Sequence, residues 1–257
     1  MASELSLDPA LYFITCGTGS IPFVWGHGWG QSHHAFAPLA NALNQDGQHT
    51  IVDFPGFGQT PPPPDSWGSA EYADHIACFI KSRTNQPVLW IGHSFGCRVG
   101  IQLAARYPDL VKGLCLIAAA GLPPKRPFLK KTYIKSRIRL YKFLKKLIPF
   151  GLPESWLIKR FASPDYQNAG PLRKILTRVV NEDLSAQART ITCPVLLLYG
   201  SEDTETPPEI GERLHALIPQ SERIVLKGFD HYSILREAQH QVLHRIKEFI
   251  SKKDTVS

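Results

Sequence analysis

The stretch Val88-Leu89-Trp90-Ile91-Gly92-His93-Ser94-Phe95-Gly96 is the part of the chain that decides the fold. Its first four residues form an apolar run that predicts a buried β-strand, and residues 95–107 have the pattern of a helix. Ser94 therefore lies at the turn from strand to helix, inside the motif Gly-x-Ser-x-Gly. The flanking glycines avoid Cβ clashes in a crowded turn, and the positive end of the helix adjoins the serine hydroxyl. This context predicts a nucleophile. The alternative is a structural turn that contains a serine by chance.

The same alternation of strand and helix continues on both sides of this stretch. Uninterrupted apolar runs, typical of strands covered on both faces, predict strands at 50–53, 88–91, 111–118, 195–199 and 224–226. Helical patterns predict helices at 33–43, 69–81, 95–107, 209–217 and 239–251. Glycines at 17 and 19 predict a hairpin between strands at 11–15 and 21–25. We therefore expect an α/β fold with a mostly parallel sheet flanked by helices.

A basic, helix-like segment interrupts this rhythm at 122–189, so the core is predicted to comprise 1–121 and 190–257. Residues 122–190 hold 16 lysines and arginines and four acidic residues, a net charge of +12, whereas the rest of the chain carries −5. A basic segment set into an acidic body favours contact with an anionic partner.

The composition excludes several classes of protein. The 257 residues are 43% hydrophobic and 20% charged, which excludes a disordered chain, a collagen and a coiled coil. No apolar run of about 18 residues is present, and residues 1–4 do not resemble the start of a signal peptide, so we expect a cytoplasmic protein. The five cysteines are scattered and form no CxxC pair. Neither a disulfide framework nor a zinc site is predicted, and we expect no metal or cofactor.

A serine nucleophile needs a base, and the base needs an orienting carboxylate. On an open α/β sheet with this nucleophile motif, the chain order is serine, acid, histidine. Asp203 follows the predicted strand 195–199, and His231 follows the strand 224–226, so both are expected at the same sheet edge as Ser94. Two further acids leave the choice of orienting residue open, namely Glu202 and Glu205. Asp230 adjoins the histidine and is expected to point away from it.

The loop Gly26-His27-Gly28-Trp29-Gly30 supplies a third element of the site. Acyl transfer places negative charge on a carbonyl oxygen, which two backbone N–H groups must meet. We predict that these belong to Phe95, the residue after the nucleophile, and to Trp29. His27 could be mistaken for a base, but we expect it to brace the loop through hydrogen bonds.

Five motifs identify the chain as similar to the α/β-hydrolases of the esterase and lipase superfamily. They are HGWG (27–30), DFPGFG (53–58), GHSFG (92–96), GSED with the following Pro207 (200–207) and GFDH (228–231). The resemblance implies a triad of Ser94, Asp203 and His231, with residues 122–190 as a lid. Asp230 stands where the family more often has a small residue, and its charge could tune the base. A serine nucleophile argues against the epoxide hydrolases and dehalogenases of the superfamily.

The HGWG loop, the compact size and the basic lid together resemble a narrower family, the esterases that act on the methyl ester of a pimeloyl chain bound to acyl-carrier protein. Within the lid, residues 128–150 form an amphipathic basic stretch. It is either a solvated cap over the site, a dock for an acidic carrier protein or other anionic substrate, or a contact with anionic membrane lipid. Nucleic acid is not expected. The lysines predicted to contact an anionic partner are Lys142, Lys145 and Lys146.

The sequence therefore predicts a serine esterase that works through an acyl-enzyme, with a small-molecule or carrier-bound acyl ester as substrate. Three alternatives stay open. They are a monoacylglycerol-type lipase at a membrane surface, a C–C bond hydrolase with the same triad, and a non-catalytic ligand receptor on the same fold. The receptor is disfavoured because every triad position is occupied by a suitable residue.

Overall fold

A computed structural model describes residues 9–123, 125, 136, 139–141, 143–144, 159–160 and 164–254. The strands are β1 (Phe13–Cys16), β2 (Ile21–Gly26), β3 (Gly47–Val52), β4 (Val88–His93), β5 (Val111–Ile117), β6 (Val195–Gly200) and β7 (Ser221–Leu226). The α-helices are α1 (Ala37–Ala42), α2 (Ser69–Arg83), α3 (Phe95–Arg106), α4 (Pro164–Asn168), α5 (Arg173–Asn181), α6 (Ser185–Arg189), α7 (Pro208–Leu217), α8 (Ser233–Arg236) and α9 (Gln239–Asp254). Short 3₁₀ turns occupy His33–Ala35, Pro108–Leu110 and Gly170–Leu172.

Among the described residues the strands form one sheet in the order β1-β3-β2-β4-β5-β6-β7. All neighbouring pairs are parallel except β1 and β3, which are antiparallel. The expectation of a mostly parallel sheet is confirmed. The carboxyl ends of β2 to β7 consequently meet at one edge, which is where loops can build a site.

The predicted hairpin between the first two strands is wrong. β1 pairs with β3, and β2 lies on the far side of β3, so the first two strands flank the third instead of pairing. The connection crosses the start of β3, where Thr18 N–H donates to Asn44 O at 2.8 Å. Gly17 has a φ of +89°, and a Cβ there would overlap Gly47 O. Two glycines that signal a tight turn serve here to let the loop pass close to another strand.

The sheet is covered on both faces, as the uninterrupted apolar strands predicted. Every residue of β4 is buried. Trp90 packs into the layer that contains α2 and α3, whereas Leu89 and Ile91 pack into the opposite layer with α1 and α9. Removing a buried aromatic side chain such as that of Trp90 typically costs about 3–5 kcal/mol. This central strand therefore gives the following turn a rigid base.

The chain between β5 and β6 is helical wherever a regular element is described, in α4, α5 and α6. Leu172, Ile175 and Val179 are buried in the same core layer as α2 and α3. This part of the insertion is thus anchored on the core. Lys142, Lys145 and Lys146 lie outside the described residues, so their contacts stay a prediction.

In the part of the chain that the structure describes, no helix is both long and apolar enough to cross a bilayer. Over the same residues, no cluster of histidine, cysteine, aspartate and glutamate side chains could hold a metal ion.

Candidate active site

Ser94 occupies the turn between β4 and α3 in a strained backbone conformation, with φ 49° and ψ −101°. A non-glycine residue in this region costs of order 1–3 kcal/mol and persists only where its surroundings hold it. The Ser94 N–H donates to Ile117 O at 3.1 Å. A Cβ on Gly96 would overlap Gly26 O, and a Cβ on Gly92 would lie 2.6 Å from Gly96 O. Both glycines of the motif are therefore required by close backbone contacts.

Asp203 and His231 are brought together although 28 residues separate them in sequence. His231 Nδ1 lies 2.8 Å from Asp203 Oδ2, and both residues are buried. The Nδ1–H must donate, because the carboxylate can only accept. With its proton on Nδ1, the neutral ring carries its free lone pair on Nε2.

The carboxylate of Asp203 is held by four donors. Oδ1 accepts the N–H groups of Glu205 at 2.9 Å and Thr206 at 2.8 Å. Oδ2 accepts the Thr206 hydroxyl at 2.8 Å besides His231. Burial acts to raise the pKa of Asp203, but the hydrogen bonds and charge of His231 and the bonds from Thr206 outweigh it, so the pKa lies below its ordinary value. Asp203 is therefore ionised at neutral pH.

Thr206 is a site residue that the sequence analysis missed. Its hydroxyl also lies 3.0 Å from Ala118 O and 3.1 Å from His231 Nδ1. Ala118 has a φ of 50° directly after β5. The hydroxyl thus ties the Asp203 loop to the end of a neighbouring strand. A threonine three residues after an aspartate, just before a helix start, is the signal that could have found it.

The other acids that the sequence left open lie in different places. Glu205 Oε2 is 3.6 Å from His231 Nε2, on the opposite side of the ring from Asp203. The Asp230 carboxylate accepts the N–H groups of Tyr232 at 2.9 Å and Ser233 at 2.7 Å, at the start of α8. These bonds hold the pKa of Asp230 below its ordinary value. Asp230 thus caps a helix and points away from the imidazole, as expected.

His93, the residue before Ser94, packs directly against His231. The two rings are 4.9 Å apart, and His93 Nε2–H donates to His231 O at 2.9 Å. Burial, followed by the charge of His231, lowers the pKa of His93 to about 3, so His93 is neutral. The contact keeps the loop of His231 against the end of β4.

His27 braces the loop after β2, as the sequence analysis expected. Phe54 N–H donates to its Nε2 at 3.1 Å, so Nδ1 carries the proton and donates to Gly28 O at 2.7 Å. Burial lowers the pKa of His27 to about 4. With both ring nitrogens engaged and the ring neutral, His27 is unsuited to act as a base.

Two backbone N–H groups at this edge are available for an anionic oxygen. Phe95 is the first residue of α3, so its N–H has no acceptor within the helix. Within the described residues, Trp29 N–H has no hydrogen-bond acceptor, whereas Gly28 N–H is taken by Gln31 Oε1 at 2.8 Å. The rings of Trp29 and Phe95 contact each other edge to face, 5.7 Å apart. Both predicted oxyanion residues thus lie in one contact cluster.

The loop after β3 is built around the buried carboxylate of Asp53. This carboxylate accepts the N–H groups of His33 at 2.6 Å and Gln59 at 2.9 Å. A Cβ on Gly58, where φ is +56°, would overlap the carboxylate. The loop consequently places Phe57 against the Trp29 ring, 4.9 Å away.

A pocket of about 570 Å³ adjoins these loops. Its lining combines Trp29 with Phe57 from the loop after β3, Asp165 and Leu172 from the insertion, and Tyr232 from the loop after β7. The Tyr232 ring lies 5.1 Å from the His231 ring, so Tyr232 connects the pocket to the imidazole, although neither His231 nor Ser94 lines the pocket itself. Its size suits a small organic chain.

Comparisons with known proteins agree with this fold. The profile of the Alpha/beta hydrolase family matches residues 23–245. A pimeloyl-[acyl-carrier protein] methyl ester esterase of Neisseria meningitidis serogroup B is 32% identical over 232 residues, which cover 83% of this chain and 86% of the relative. The esterase of that name from Yersinia pseudotuberculosis is 27% identical over 86% of this chain and 90% of its own length. Among solved structures, a thermophilic esterase from Thermogutta terrifontis superposes with a TM-score of 0.70 at 22% identity, over 94% of this chain and 93% of that one.

Proposed function

The chain belongs to the alpha/beta hydrolase family and is a carboxylic ester hydrolase, and from this premise we propose that it removes the methyl group from an acyl chain esterified at its far end and bound to acyl-carrier protein. The observation that carries the proposal is the 32% identity, over 83% of the chain, to an esterase named for a pimeloyl substrate of this kind. The proposal assigns Ser94, Asp203 and His231 as the catalytic triad.

In the proposed acylation step, Ser94 Oγ attacks the ester carbonyl carbon while His231 Nε2 takes the hydroxyl proton. Asp203 supports this transfer because it holds the Nδ1–H tautomer and stabilises the imidazolium that forms. The negative charge that develops on the carbonyl oxygen is met by the N–H groups of Trp29 and Phe95. The C–O bond then breaks, and the imidazolium returns its proton to the leaving methoxide, which departs as methanol.

In the proposed deacylation step, water attacks the acyl-enzyme and His231 takes the proton of the water. The second tetrahedral intermediate collapses with Ser94 as the leaving group, and the imidazolium protonates Ser94 Oγ. The products are a carboxylic acid, still attached to its carrier at the other end, and the regenerated enzyme. Each step transfers one proton through Nε2, so one histidine serves both halves of the reaction.

The pocket and the charge of the insertion fit a carrier-bound chain. The pocket of about 570 Å³ can hold an extended acyl chain beside Tyr232. Residues 122–190 carry +12, which would attract an acidic carrier protein. Lys142, Lys145 and Lys146 are proposed to contribute to this attraction.

The test compares kcat/KM for one methyl ester in two forms, free and attached to acyl-carrier protein, with methanol release as the readout. We expect the carrier-bound form to be preferred by on the order of ten-fold or more at low salt, because electrostatic steering raises association rates by such factors. Ser94→Ala is the matched inactive control for both substrates. Equal kcat/KM values for the two forms would reduce the function to general ester hydrolysis and refute the carrier-bound substrate.

A further inference from the structure

Two carboxylates flank the imidazole of His231, and the proposed mechanism uses only one of them. Asp203 Oδ2 is 2.8 Å from Nδ1, whereas Glu205 Oε2 is 3.6 Å from Nε2. The Glu205 side chain is 48% exposed. Its N–H donates to Asp203 Oδ1, so the turn that holds Asp203 also fixes the backbone of residue 205. Glu205 therefore faces the nitrogen through which every proton of the reaction passes.

We propose that Glu205 is a positioning residue that pairs with the protonated form of His231 through Nε2. The inference rests on the proposed function, because it takes His231 as the base. A separation of 3.6 Å is too long for a good hydrogen bond but suits an ion pair between an imidazolium and a carboxylate. The neutral ring gains little from this neighbour, whereas the protonated ring gains substantially.

This pairing has two opposite consequences for the rate. During acylation Glu205 stabilises the imidazolium, which strengthens His231 as a base and raises the rate on the plateau of the pH profile. In the free enzyme at acidic pH, the same carboxylate holds the imidazolium in a pair that cannot accept the proton of Ser94. Glu205 thus widens the acidic pH range in which the enzyme is inactive, so that this range reaches closer to neutral pH.

The charged and titratable groups around Glu205 and His231 come from the helix α4, the strand β4 and the loops after β6 and β7. Burial raises the pKa of Glu205, and the charges of Asp165 and Asp203 act in the same direction while His231 opposes them. The Tyr232 hydroxyl lies 3.5 Å from Glu205 Oε2, and burial together with Glu205 raises its pKa to about 12, so it stays protonated. Asp203, Tyr232 and the neutral His93 keep their charge states near neutral pH, so Glu205 is the carboxylate beside Nε2 whose charge the test removes.

The test is the pH profile of kcat/KM for Glu205→Gln on p-nitrophenyl butyrate, read at the isosbestic wavelength of the product. This substrate is neutral, so the profile reports ionisations of the free enzyme. In this profile, the acid limb is the part in which kcat/KM rises with pH. We expect the acid limb to move to lower pH by about half to one pH unit, the value for a solvent-screened pair at this distance. Well below the limb, activity relative to the plateau should rise about three- to ten-fold, while the plateau itself falls about two-fold.

Two variants separate the charge of Glu205 from the effect of altering its loop. Glu202→Gln removes the same charge from the same loop at an exposed position, and its limb should coincide with that of the wild type. Glu205→Asp keeps the charge and should return the limb most of the way to its wild-type position. Coincident limbs for Glu205→Gln and the wild type, or equal displacement in Glu202→Gln, would overturn the role of Glu205. Full activity of His231→Ala would instead refute the proposed function, so the two failures are distinguishable.

Discussion

Replacing Asp203 with asparagine should remove most of the activity for a reason that can be worked out from its hydrogen bonds. Two backbone N–H groups, from Glu205 and Thr206, converge on Oδ1. An asparagine must turn its oxygen toward them, because its NH₂ group would face two donors. The NH₂ group then occupies the position of Oδ2, 2.8 Å from His231 Nδ1. There it donates to Nδ1, and the proton of the ring has to move to Nε2.

The size of the expected loss in activity follows from the tautomer of the His231 ring. When the ring carries its proton on Nε2, that nitrogen has no lone pair to accept the proton of Ser94. The substitution also removes the negative charge of Asp203, which stabilises the imidazolium. The equivalent substitution in a serine protease lowers the rate about 10⁴-fold, which corresponds to about 5.4 kcal/mol of transition-state free energy. We expect a loss of this order in kcat/KM, measured on a short p-nitrophenyl ester at neutral pH.

The fold should tolerate this substitution. The Thr206 hydroxyl can accept from the new NH₂ group and donate to Ala118 O, 3.0 Å away, so no buried donor loses its partner. Since the pKa of Asp203 lies below its ordinary value of 3.8 in the folded chain, the carboxylate stabilises the fold above that pH and loses this effect as the pH falls through the folded pKa. The wild type should therefore have an unfolding free energy about 1 kcal/mol higher than Asp203→Asn at neutral pH. This difference should disappear at acidic pH.

Asp230→Asn provides the matched control, because Asp230 adjoins His231 in sequence but caps α8 instead of contacting the imidazole. Its kcat/KM should stay within about two-fold of the wild type, since charges this exposed contribute little. The reasoning is refuted if Asp203→Asn retains more than about a tenth of the wild-type kcat/KM. It is also refuted if Glu205→Gln is the crippling variant, because the orienting acid would then be Glu205.

Three further substitutions test other parts of the site. Ser94→Ala should lower kcat by several orders of magnitude, about 10⁶-fold in the best-studied case, with the melting temperature preserved; retention of a tenth of the turnover would exclude it as the nucleophile. Thr206→Val should lower the unfolding free energy by about 1–3 kcal/mol, measured by urea titration, because the buried Asp203 Oδ2 loses the hydroxyl donor and Ala118 O loses a polar neighbour. It should also lower kcat/KM by less than Asp203→Asn does. The triple alanine substitution of Lys142, Lys145 and Lys146 should lower kcat/KM and its salt dependence on a carrier-bound ester only, since charge steering is screened over about 8 Å. An equal loss on a short neutral ester would assign these lysines to folding instead.

Local sequence predicted the parts of the site that depend on strand ends. The motif around Ser94 is contained within a strand, a turn and a helix, so it could be recognised from neighbouring residues, although distant contacts with Ile117 and Gly26 also hold the turn. Asp203 and His231 could be placed at the same edge because parallel strands end at the same edge of a sheet. The pairing of β1 could not be predicted in this way. Glycines at 17 and 19 permit a hairpin and a crossing loop equally well, and only the position of β3 decides between them.

The sequence favoured Asp203 as the orienting acid but could not exclude Glu202 and Glu205, since all three lie in the loop directly after β6. The choice depends on contacts between distant segments, above all the bond from the Thr206 hydroxyl to Ala118 O at the end of β5. That bond and the two N–H groups on Oδ1 turn the side chain of residue 203 toward Nδ1 and leave residue 205 facing Nε2. The carboxylate of Glu205, two residues after Asp203, therefore faces Nε2 instead of Nδ1. For this reason Glu205, which remains in place in Asp203→Asn, cannot restore the Nδ1–H tautomer, and we expect no rescue from it.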